Sequence, residues 1–375
     1  MHIKIKEVIN LKDLKSFVQF PEWLYRNNPY RVPPLFVNEY SILNRDKNPA
    51  FEHCEAKYWL AYDRDQVVGR VAAIINHAHI KKWNQRYLRF GWIDFIDDKA
   101  VFLALMEKVE QWALQEGLEA VHGPLGFTDH DPVGMLVEGF DEISTQAATY
   151  NYPYYTNHFE KAGYTKDTDW VEYEIEIPDV TNEKIERIAN MAMQRYGLKL
   201  LAVNNKKELL PYASDLFQLI EDSHQHLYGV VPLTKKQIQK YIEQYYDIII
   251  PEFLPVVMDR NNRVIAFGFA IPFIGKALQK AKGKLYPLGF MYLFKALKKN
   301  DRAELCLIAV KPEYQRKGVN AILIHNMVQV FNSKGILKVE SNPELESNKL
   351  VQGQWKYFDK RQHKRRRCYI KHLKV

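Results

Sequence analysis

The chain has 375 residues, of which 47% are apolar and 26% are charged, so its composition is that of a globular protein long enough for two domains. Its three scattered cysteines form no zinc-binding spacing. We find neither a signal peptide nor an apolar run long enough to span a bilayer, so we expect a reduced cytoplasmic protein without a transmembrane segment.

In the first half, the segment 57–76 is predicted as a hairpin because two apolar runs flank the turn at residues 63–65. The segment 98–117 is predicted as a helix because its apolar side chains recur at helical spacing and Gly117 provides a stop. The remaining predictions are strands at 89–96, 118–125 and 170–177 and a helix at 154–164.

The second half repeats this order. The segment 253–274 is predicted as a hairpin that turns at Asn261-Asn262, and 206–246 is predicted to contain two helices. Strands are predicted at 198–204, 303–310, 337–343 and 365–373, and helices at 318–335 and 346–358. The repeated order indicates an internal duplication in an α/β (α+β) fold with two mixed β-sheet domains flanked by helices, at 1–180 and 195–375, with a linker near 178–197.

The charge is divided unevenly between the halves. Residues 1–180 contain 19 Lys and Arg against 28 Asp and Glu, a balance of −9, whereas residues 181–375 contain 34 against 17, a balance of +17. This asymmetry indicates that the second half binds an anion, unless the two oppositely charged halves simply attract each other.

The stretch "VKPEYQRKGVNAIL" (310–323) joins the strand 303–310 to the helix that begins near Gly318. A strand that enters a helix through a glycine-containing turn is a general arrangement for binding phosphate, because backbone N–H groups and the helix dipole point at the ligand. The stretch lacks the second glycine and the Lys-Ser/Thr pair of a P-loop.

This stretch resembles the signature of the GNAT acyl-CoA N-acyltransferase superfamily, in which an apolar strand is followed by Val-x-Pro-x-Tyr, Gln/Arg-x-x-Gly and a helix. The matching residues here are Val310, Pro312, Tyr314, Gln315 and Gly318. The resemblance extends over residues 198–375. It implies two GNAT-like domains, with a co-substrate of acetyl-CoA or another acyl-CoA in the second.

The resemblance also implies positions for the parts of CoA. The edge of the strand at Ile308 and Val310 would bond the pantetheine, and Asn348 belongs to the same implied site. The turn would surround the pyrophosphate with Gln315, Arg316, Lys317, Gly318, Val319 and Asn320. Asn320 departs from the family, which prefers Gly or Ala there, so its side chain either crowds the phosphate or donates to it.

Two residues are the candidate catalytic groups. Glu304 stands at the spacing from the turn at which related enzymes have their general base, and strict alternation would put Glu304, Cys306, Ile308 and Val310 on one face of the strand. If Asn348 is aligned with the matching position of the family, Trp355 falls at the position of the family's tyrosine. Tyr357, two residues further on, is then the candidate acid, with water as the alternative donor to the thiolate.

The first half resembles an eroded copy of the same fold. "HFEKAGY" (158–164) has Phe159 where the family has its tyrosine, and a phenyl ring has no proton to donate. The loop after the strand 89–96 contains Asp97 and Asp98, whose carboxylates would repel phosphate. We therefore expect no CoA there.

Three further segments have alternative interpretations. The loop 122–136 contains His122, Asp129, His130 and Asp131, yet its spacing matches no metal site, so we expect no metal. The segment 275–300 has seven lysines, no acid and many aromatics, which is typical either of a packed helix with solvated lysines or of a surface for an acyl carrier protein, an acyl chain or a membrane. The basic C-terminus (356–375) is predicted as a solvated strand edge, and nucleic acid is not expected.

The sequence therefore predicts an acyl-CoA-dependent N-acyltransferase with a small-molecule or protein amine as acceptor. The alternative is a non-catalytic GNAT-like protein that binds an acyl carrier, a protein partner or nucleic acid.

Overall fold

The computed structural model describes residues 2–374. Its strands are β1 Ile3–Glu7, β2 Cys54–Asp63, β3 Gln66–Asn76, β4 Tyr87–Phe95, β5 Ala120–Gly123, β6 Met135–Glu138, β7 Thr165–Glu176, β8 Lys199–Leu200, β9 Val256–Met258, β10 Val264–Pro272, β11 Arg302–Val310, β12 Lys338–Ser341, β13 Glu344–Leu345 and β14 Lys360–His372.

The α-helices are α1 Leu11–Leu24, α2 Phe36–Leu43, α3 His77–Trp83, α4 Lys99–Gln115, α5 Tyr154–Lys161, α6 Glu183–Tyr196, α7 Ala213–His224, α8 Lys235–Tyr246, α9 Gly275–Ala281, α10 Gly289–Lys298, α11 Val319–Lys334 and α12 Lys349–Gln352. Within residues 2–374, no helix is both long enough and apolar enough to cross a bilayer.

The chain forms two compact units, which are not two consecutive halves. Unit 1 consists of residues 1–171, 274–293 and 363–375, and unit 2 consists of residues 172–273 and 294–362. The boundaries predicted from sequence differ from this division because the insert after β10 and the C-terminal strand β14 both contribute residues to unit 1.

In unit 1 the strand order is β1-β2-β3-β4-β5-β14, and β6 also pairs with β14. Neighbouring strands are antiparallel except β4 and β5, which are parallel and are connected by α4. One face of the sheet is covered by α4 and α5 and the other by α1 and α2, so each face has its own apolar cluster.

Unit 2 repeats the arrangement with the order β7-β12-β11-β10-β9-β8. Here β11 and β12 form the parallel pair, connected by α11, and the other neighbours are antiparallel. Helices α6 and α11 cover one face of the sheet, and α7 covers the other. The predicted α/β fold class with two mixed sheets flanked by helices is confirmed.

The predicted linker at 178–197 is wrong, because helix α6 occupies most of it. Asn182 caps this helix by accepting from the backbone N–H of Lys184, and Gly197 ends it in the left-handed conformation. Ile185, Ala189 and Ala192 recur at helical spacing on its buried side. The segment is therefore a core helix of unit 2.

The basic C-terminal strand is not a solvated edge, because β14 pairs with both β5 and β6. Lys364 and Arg366 are buried, and Arg366 donates to the carbonyl of Thr149. Arg367 bonds both carboxylate oxygens of Asp169 at 2.9 and 3.1 Å. Since buried and paired cations are unable to reach phosphates, this cluster does not support nucleic-acid binding.

Candidate functional site

The candidate site in unit 2 begins where β11 and β12 separate. The parallel pairing covers Arg302–Leu305 and Lys338–Ser341, and the rest of β11 has no strand on that side. Along this edge, three side-chain nitrogens form hydrogen bonds with the backbone carbonyls of every second residue. Asn342 Nδ2 lies 2.9 Å from the carbonyl oxygen of Cys306. His224 Nε2 and Gln315 Nε2 each lie 3.1 Å from a carbonyl oxygen, those of Ile308 and Val310 respectively. This edge is the part of the sheet on which an extended ligand could bond backbone groups.

A β-bulge in β11 overturns the expectation that Glu304, Ile308 and Val310 share a face. The partner of Phe269 is Leu307 and that of Ala270 is Leu305, so Cys306 is an extra residue in the ladder. Before the bulge, Ala303 packs on the face of the sheet that α11 covers. After the bulge, Ile308 and Val310 pack on this same face. Glu304 consequently lies on the opposite face, which α7 covers after the bulge.

Glu304 is fully buried, with 0% of its surface exposed. The register places it directly opposite Glu340, which is itself opposite Glu174. Glu174 has Arg302 and Arg361 as partners, and although burial raises its pKa, these cations hold the pKa below its usual value. Glu304, Glu340 and Glu174 therefore form a row of three buried carboxylates across β11, β12 and β7.

The thiol of Cys306 lies close to Glu304 and contacts its backbone carbonyl at 3.7 Å. Burial, reinforced by the charge of Glu304, raises the pKa of Cys306 well above that of an ordinary cysteine. This shift favours the neutral thiol over the thiolate, which is the nucleophilic form of cysteine.

The turn between β11 and α11 is open toward solvent. Gly318 precedes α11 with φ at 80°, and no side chain caps the helix. The first N–H groups of a helix have no partner within the helix, so this end can receive an anion. Gln315, Arg316 and Lys317 are exposed, whereas Val319 is buried and can offer only its backbone N–H.

Gly318 has a second, structural role. A Cβ added there would lie 2.7 Å from the side chain of Ile188 on α6, and the positive φ is itself unfavourable for other residues. Substitutions at Gly318 would therefore disturb the packing of α11 on α6. Arg316 and Lys317 are better positions for testing the anion site.

The equivalent turn in unit 1 is closed. Asp98 accepts from the backbone N–H groups of Ala100 and Val101 at 2.7 and 3.0 Å, so its carboxylate fills the N-terminus of α4. Phe159, which replaces the expected tyrosine, is buried and stacks on Phe90 at 5.2 Å. A phosphate at this turn would therefore meet the Asp98 carboxylate, and the ring at position 159 has no proton to donate.

The predicted helix 346–358 is α-helical only over Lys349–Gln352 and continues as a 3-10 turn over Gly353–Tyr357. Tyr357 is the last residue of this turn. It packs against the cluster that also contacts Ile308 and Val310. Desolvation raises the pKa of the phenol, but hydrogen bonds and the charges of Lys184 and Lys356 outweigh it, so the pKa is lowered. A more acidic phenol is a better proton donor.

Asn348 accepts from the backbone N–H of Val351 at 3.4 Å and thereby caps the short helix α12. Its amide nitrogen is the group that a ligand could use, because the oxygen is engaged in the cap. In the structure Asn348 therefore supports the segment that leads to Trp355 and Tyr357.

Glu344 is a candidate that the sequence did not reveal. It follows β12, accepts from the indole Nε1 of Trp355 at 2.8 Å, and lies in a largely buried place. Burial raises the pKa of its carboxyl to about 7. A carboxylate of this pKa is suited to accept a proton near neutral pH. The only sequence signal was its position just after the second parallel strand, in "ESNPELE".

The raised pKa of Glu344 predicts a pH dependence of stability. Between about pH 4.5 and pH 7, folded Glu344 holds a proton that the unfolded chain has lost, so the free energy of unfolding should fall as pH rises. Glu344→Gln should remove this contribution, at most about 1.4 kcal/mol per pH unit, in urea titrations across this window. Glu313→Gln, at an exposed position, is the control. Equal slopes in wild type and Glu344→Gln would contradict the assignment.

In the loop 122–136 of unit 1, the histidines and aspartates of the loop do not form one cluster of ligand atoms. Asp131 accepts from the backbone N–H of Thr128, and burial raises the pKa of this carboxyl to about 6. His122 instead lies beside Asp167 at 3.6 Å, and ligand atoms of these two residues and of Cys368 lie within 4.8 Å of one another. The carboxylate and the thiol of this trio lie far from the loop in sequence.

Unit 1 also contains a cavity that is lined by residues of β4 and of the segments after β5. Arg70 and Asp94 form a buried ion pair at 2.7 Å in its wall, and the hydroxyl of Tyr25 donates to Asp94 at 2.7 Å. Glu39 accepts from Trp92 in the same wall, and burial raises its pKa. This cavity, whose lining is mostly apolar, lies where β4 and β5 separate, as the edge of β11 does in unit 2.

Comparison with known proteins agrees with these features. Residues 215–352 match the family described as the acetyltransferase (GNAT) family. Protein YghO of Escherichia coli (strain K12) is 27% identical over 98% of this chain and 95% of its own, and the bacterial ceramide synthase of Caulobacter vibrioides (strain NA1000 / CB15N) is 27% identical over 90% and 89%.

Among solved structures, a tandem GNAT protein from the clavulanic acid biosynthesis pathway superposes with a TM-score of 0.58 at 10% identity, covering 100% of this chain and 99% of its own. A GCN5-related N-acetyltransferase from Sphaerobacter thermophilus superposes with a TM-score of 0.52 at 8% identity, covering 100% and 96%. The chain therefore has the tandem GNAT fold, and its residues 215–352 match the GNAT acetyltransferase family.

Proposed function

We propose that the protein is an N-acyltransferase that moves an acyl group from an acyl-CoA thioester to an amine. The observation that carries the proposal is the open, uncapped turn before α11 beside the unpaired edge of β11. In unit 1 the corresponding turn is filled by Asp98, so one CoA site, in unit 2, is proposed.

In this proposal the backbone N–H groups at the start of α11, with Arg316 and Lys317, bind the pyrophosphate. The pantetheine bonds the edge of β11 and replaces the side-chain contacts of His224 and Gln315 with Ile308 and Val310. Asn320 is half-buried in the first turn of α11, so its amide is available as a further donor to phosphate.

The chemical step requires one base and one acid. The amine nitrogen forms a bond to the thioester carbonyl carbon and loses a proton to a carboxylate, for which Glu304 and Glu344 are the candidates. The carbon–sulfur bond then breaks, and the thiolate takes a proton from Tyr357 or from water. The amide and free CoA are the products.

The acceptor class that we propose is a long-chain amine, with a fatty acyl-CoA as donor. The relative from Caulobacter vibrioides is named a ceramide synthase, and it matches 90% of this chain. Ceramides are fatty amides of long-chain amino alcohols, so the same bond would form. This relative, at 27% identity, supports the proposed class of acceptor. The headgroup of the acceptor has to be identified by experiment.

The test is release of free CoA thiol from acetyl-CoA and from a long-chain acyl-CoA, each with a short amine and a long-chain amino alcohol. We expect thiol release that depends on both substrates and an amide product found by mass spectrometry. CoA binding without amide formation from any amine would favour the alternative, a non-catalytic protein that binds an acyl carrier or a protein partner.

CoA binding itself should protect one turn only. We expect slower hydrogen exchange at residues 315–322 when CoA is added, because phosphate oxygens accept from these N–H groups, and no change at residues 97–101. Mass spectrometry of peptides with and without CoA measures both regions in one experiment. Protection at 97–101 rather than 315–322 would overturn the assignment of the site to unit 2.

A further inference from the structure

The insert between β10 and β11 has an exposed surface that the proposed reaction does not use. We define the insert surface by the exposed lysines Lys280, Lys282 and Lys284 and the exposed apolar residues Tyr286, Leu288, Phe290 and Met291, all of unit 1. From 50% to 78% of each of these four apolar side chains is exposed. Single exposed apolar residues are ordinary, but four within six positions form a patch that needs a partner.

The first part of the insert is fixed to unit 1. Helix α9 buries Ala277, Leu278 and Ala281, and the side-chain amide of Gln279 donates to the carbonyls of Pro29 and Arg31 at 2.8 and 3.0 Å. The carbonyl of Gly283 accepts from the backbone N–H of Phe36 at 2.9 Å. The position of the insert surface is therefore set by packing and backbone bonds on its N-terminal side.

The second part of the insert is not buried in the same way. Helix α10 begins at Gly289, which is its only residue classed as buried. The apolar residues 290–294 follow one another without interruption, and Phe290, Met291, Tyr292 and Phe294 among them are exposed. A helix that presents apolar side chains to water in this way gains stability when an apolar phase covers it.

The charges of the insert itself are of one sign, because no residue of 275–300 is Asp or Glu. In the adjoining segment 26–37, Arg26 is exposed, whereas Arg31 is ion-paired with Glu22. Val37 in that segment is 56% exposed. Lysines with apolar side chains between them are suited to a surface that is anionic outside and apolar beneath, which is the structure of a bilayer with anionic lipids.

We propose that the insert surface binds the protein to an anionic lipid bilayer, with the apolar side chains in the interfacial layer and the lysines at the lipid phosphates. The cavity of unit 1 is consistent with this location, because Arg31 and Pro34, which line it, belong to the segment on which the insert is anchored. Binding to vesicles does not depend on catalysis, so its outcome is independent of the proposed acyl transfer.

The experiment is co-sedimentation of the full chain with vesicles of phosphatidylcholine alone and with about 30% phosphatidylglycerol. We expect binding to the anionic vesicles that weakens at high salt, and little binding to the neutral ones. Lys280→Glu/Lys282→Glu/Lys284→Glu should lower the partition coefficient by at least about 10²-fold, since each lysine near an anionic surface contributes about a factor of five and reversal adds repulsion. Leu288→Ser/Phe290→Ser/Met291→Ser should reduce binding at every salt concentration.

The control variants change exposed residues elsewhere on unit 1. Lys4→Glu/Lys12→Glu/Lys15→Glu makes the same change of charge, and Leu103→Ser/Leu114→Ser removes exposed apolar side chains from α4. Both controls should bind like wild type, and thermal melting verifies that every variant is folded. Equal binding by the insert and control variants would overturn the proposal.

Two other results would also overturn it. An acidic acyl carrier protein that is bound by wild type and lost in the lysine variant, without vesicle binding, would identify a protein partner. Dimers in sedimentation velocity that become monomers in the apolar variant, again without vesicle binding, would identify a second copy of the chain as the partner.

Discussion

Glu304→Gln should lower turnover by about 10²–10⁴-fold while the affinity for CoA stays near that of wild type. The amide occupies the same volume in the buried site but cannot accept the proton that the amine must lose. Thiol release under saturating substrates measures turnover, and calorimetry with CoA measures affinity. Glu340→Gln is the matched control, since it changes the carboxylate directly opposite Glu304 on β12.

The outcome separates three roles for Glu304. A loss of turnover that is larger than in Glu340→Gln, with CoA binding kept, identifies it as the base. Wild-type turnover removes it from the mechanism and makes Glu344 the candidate, whose pKa of about 7 then predicts that the rate rises with pH through neutrality and that Glu344→Gln abolishes this rise. Loss of CoA binding in Glu304→Gln would mean that its role is structural.

Arg316→Glu/Lys317→Glu should raise the dissociation constant of CoA by about 10²-fold or more, because two charge-assisted contacts of about 1.5–3 kcal/mol each are replaced by repulsion. Both side chains are exposed at the uncapped start of α11, so the fold should be retained. Lys207→Glu/Lys235→Glu makes the same change of charge at exposed positions elsewhere in unit 2.

Calorimetry with CoA at low and moderate salt distinguishes the loss of a direct contact from a general effect of net charge on CoA affinity. A long-range effect of net charge would weaken binding equally in both double variants and would disappear with salt, whereas a direct contact persists. If the Arg316 and Lys317 variant binds CoA like wild type, the pyrophosphate does not lie at this turn and the proposed site is wrong.

Local features of the sequence were sufficient for much of the fold and for the location of the turn. Hairpins, capped helices and the Gln315–Gly318 turn depend on residues close together in the chain, so their patterns are visible without a structure. The order of elements also sufficed to indicate the duplication. The open turn in unit 2 and the Asp98-filled turn in unit 1 follow directly from the residues at those positions.

Features that depend on pairing between distant segments were decided by the tertiary structure. The bulge at Cys306, which turns Glu304 away from the face of Ile308 and Val310, arises from the register between β10 and β11 and leaves no mark on alternation along one strand. The buried Arg366 and the pKa of Glu344 likewise depend on neighbours far away in sequence. Register, burial and partner charge depend on contacts between distant segments. For this reason only the folded chain shows on which face of β11 Glu304 lies and that the basic strand β14 is paired on both sides.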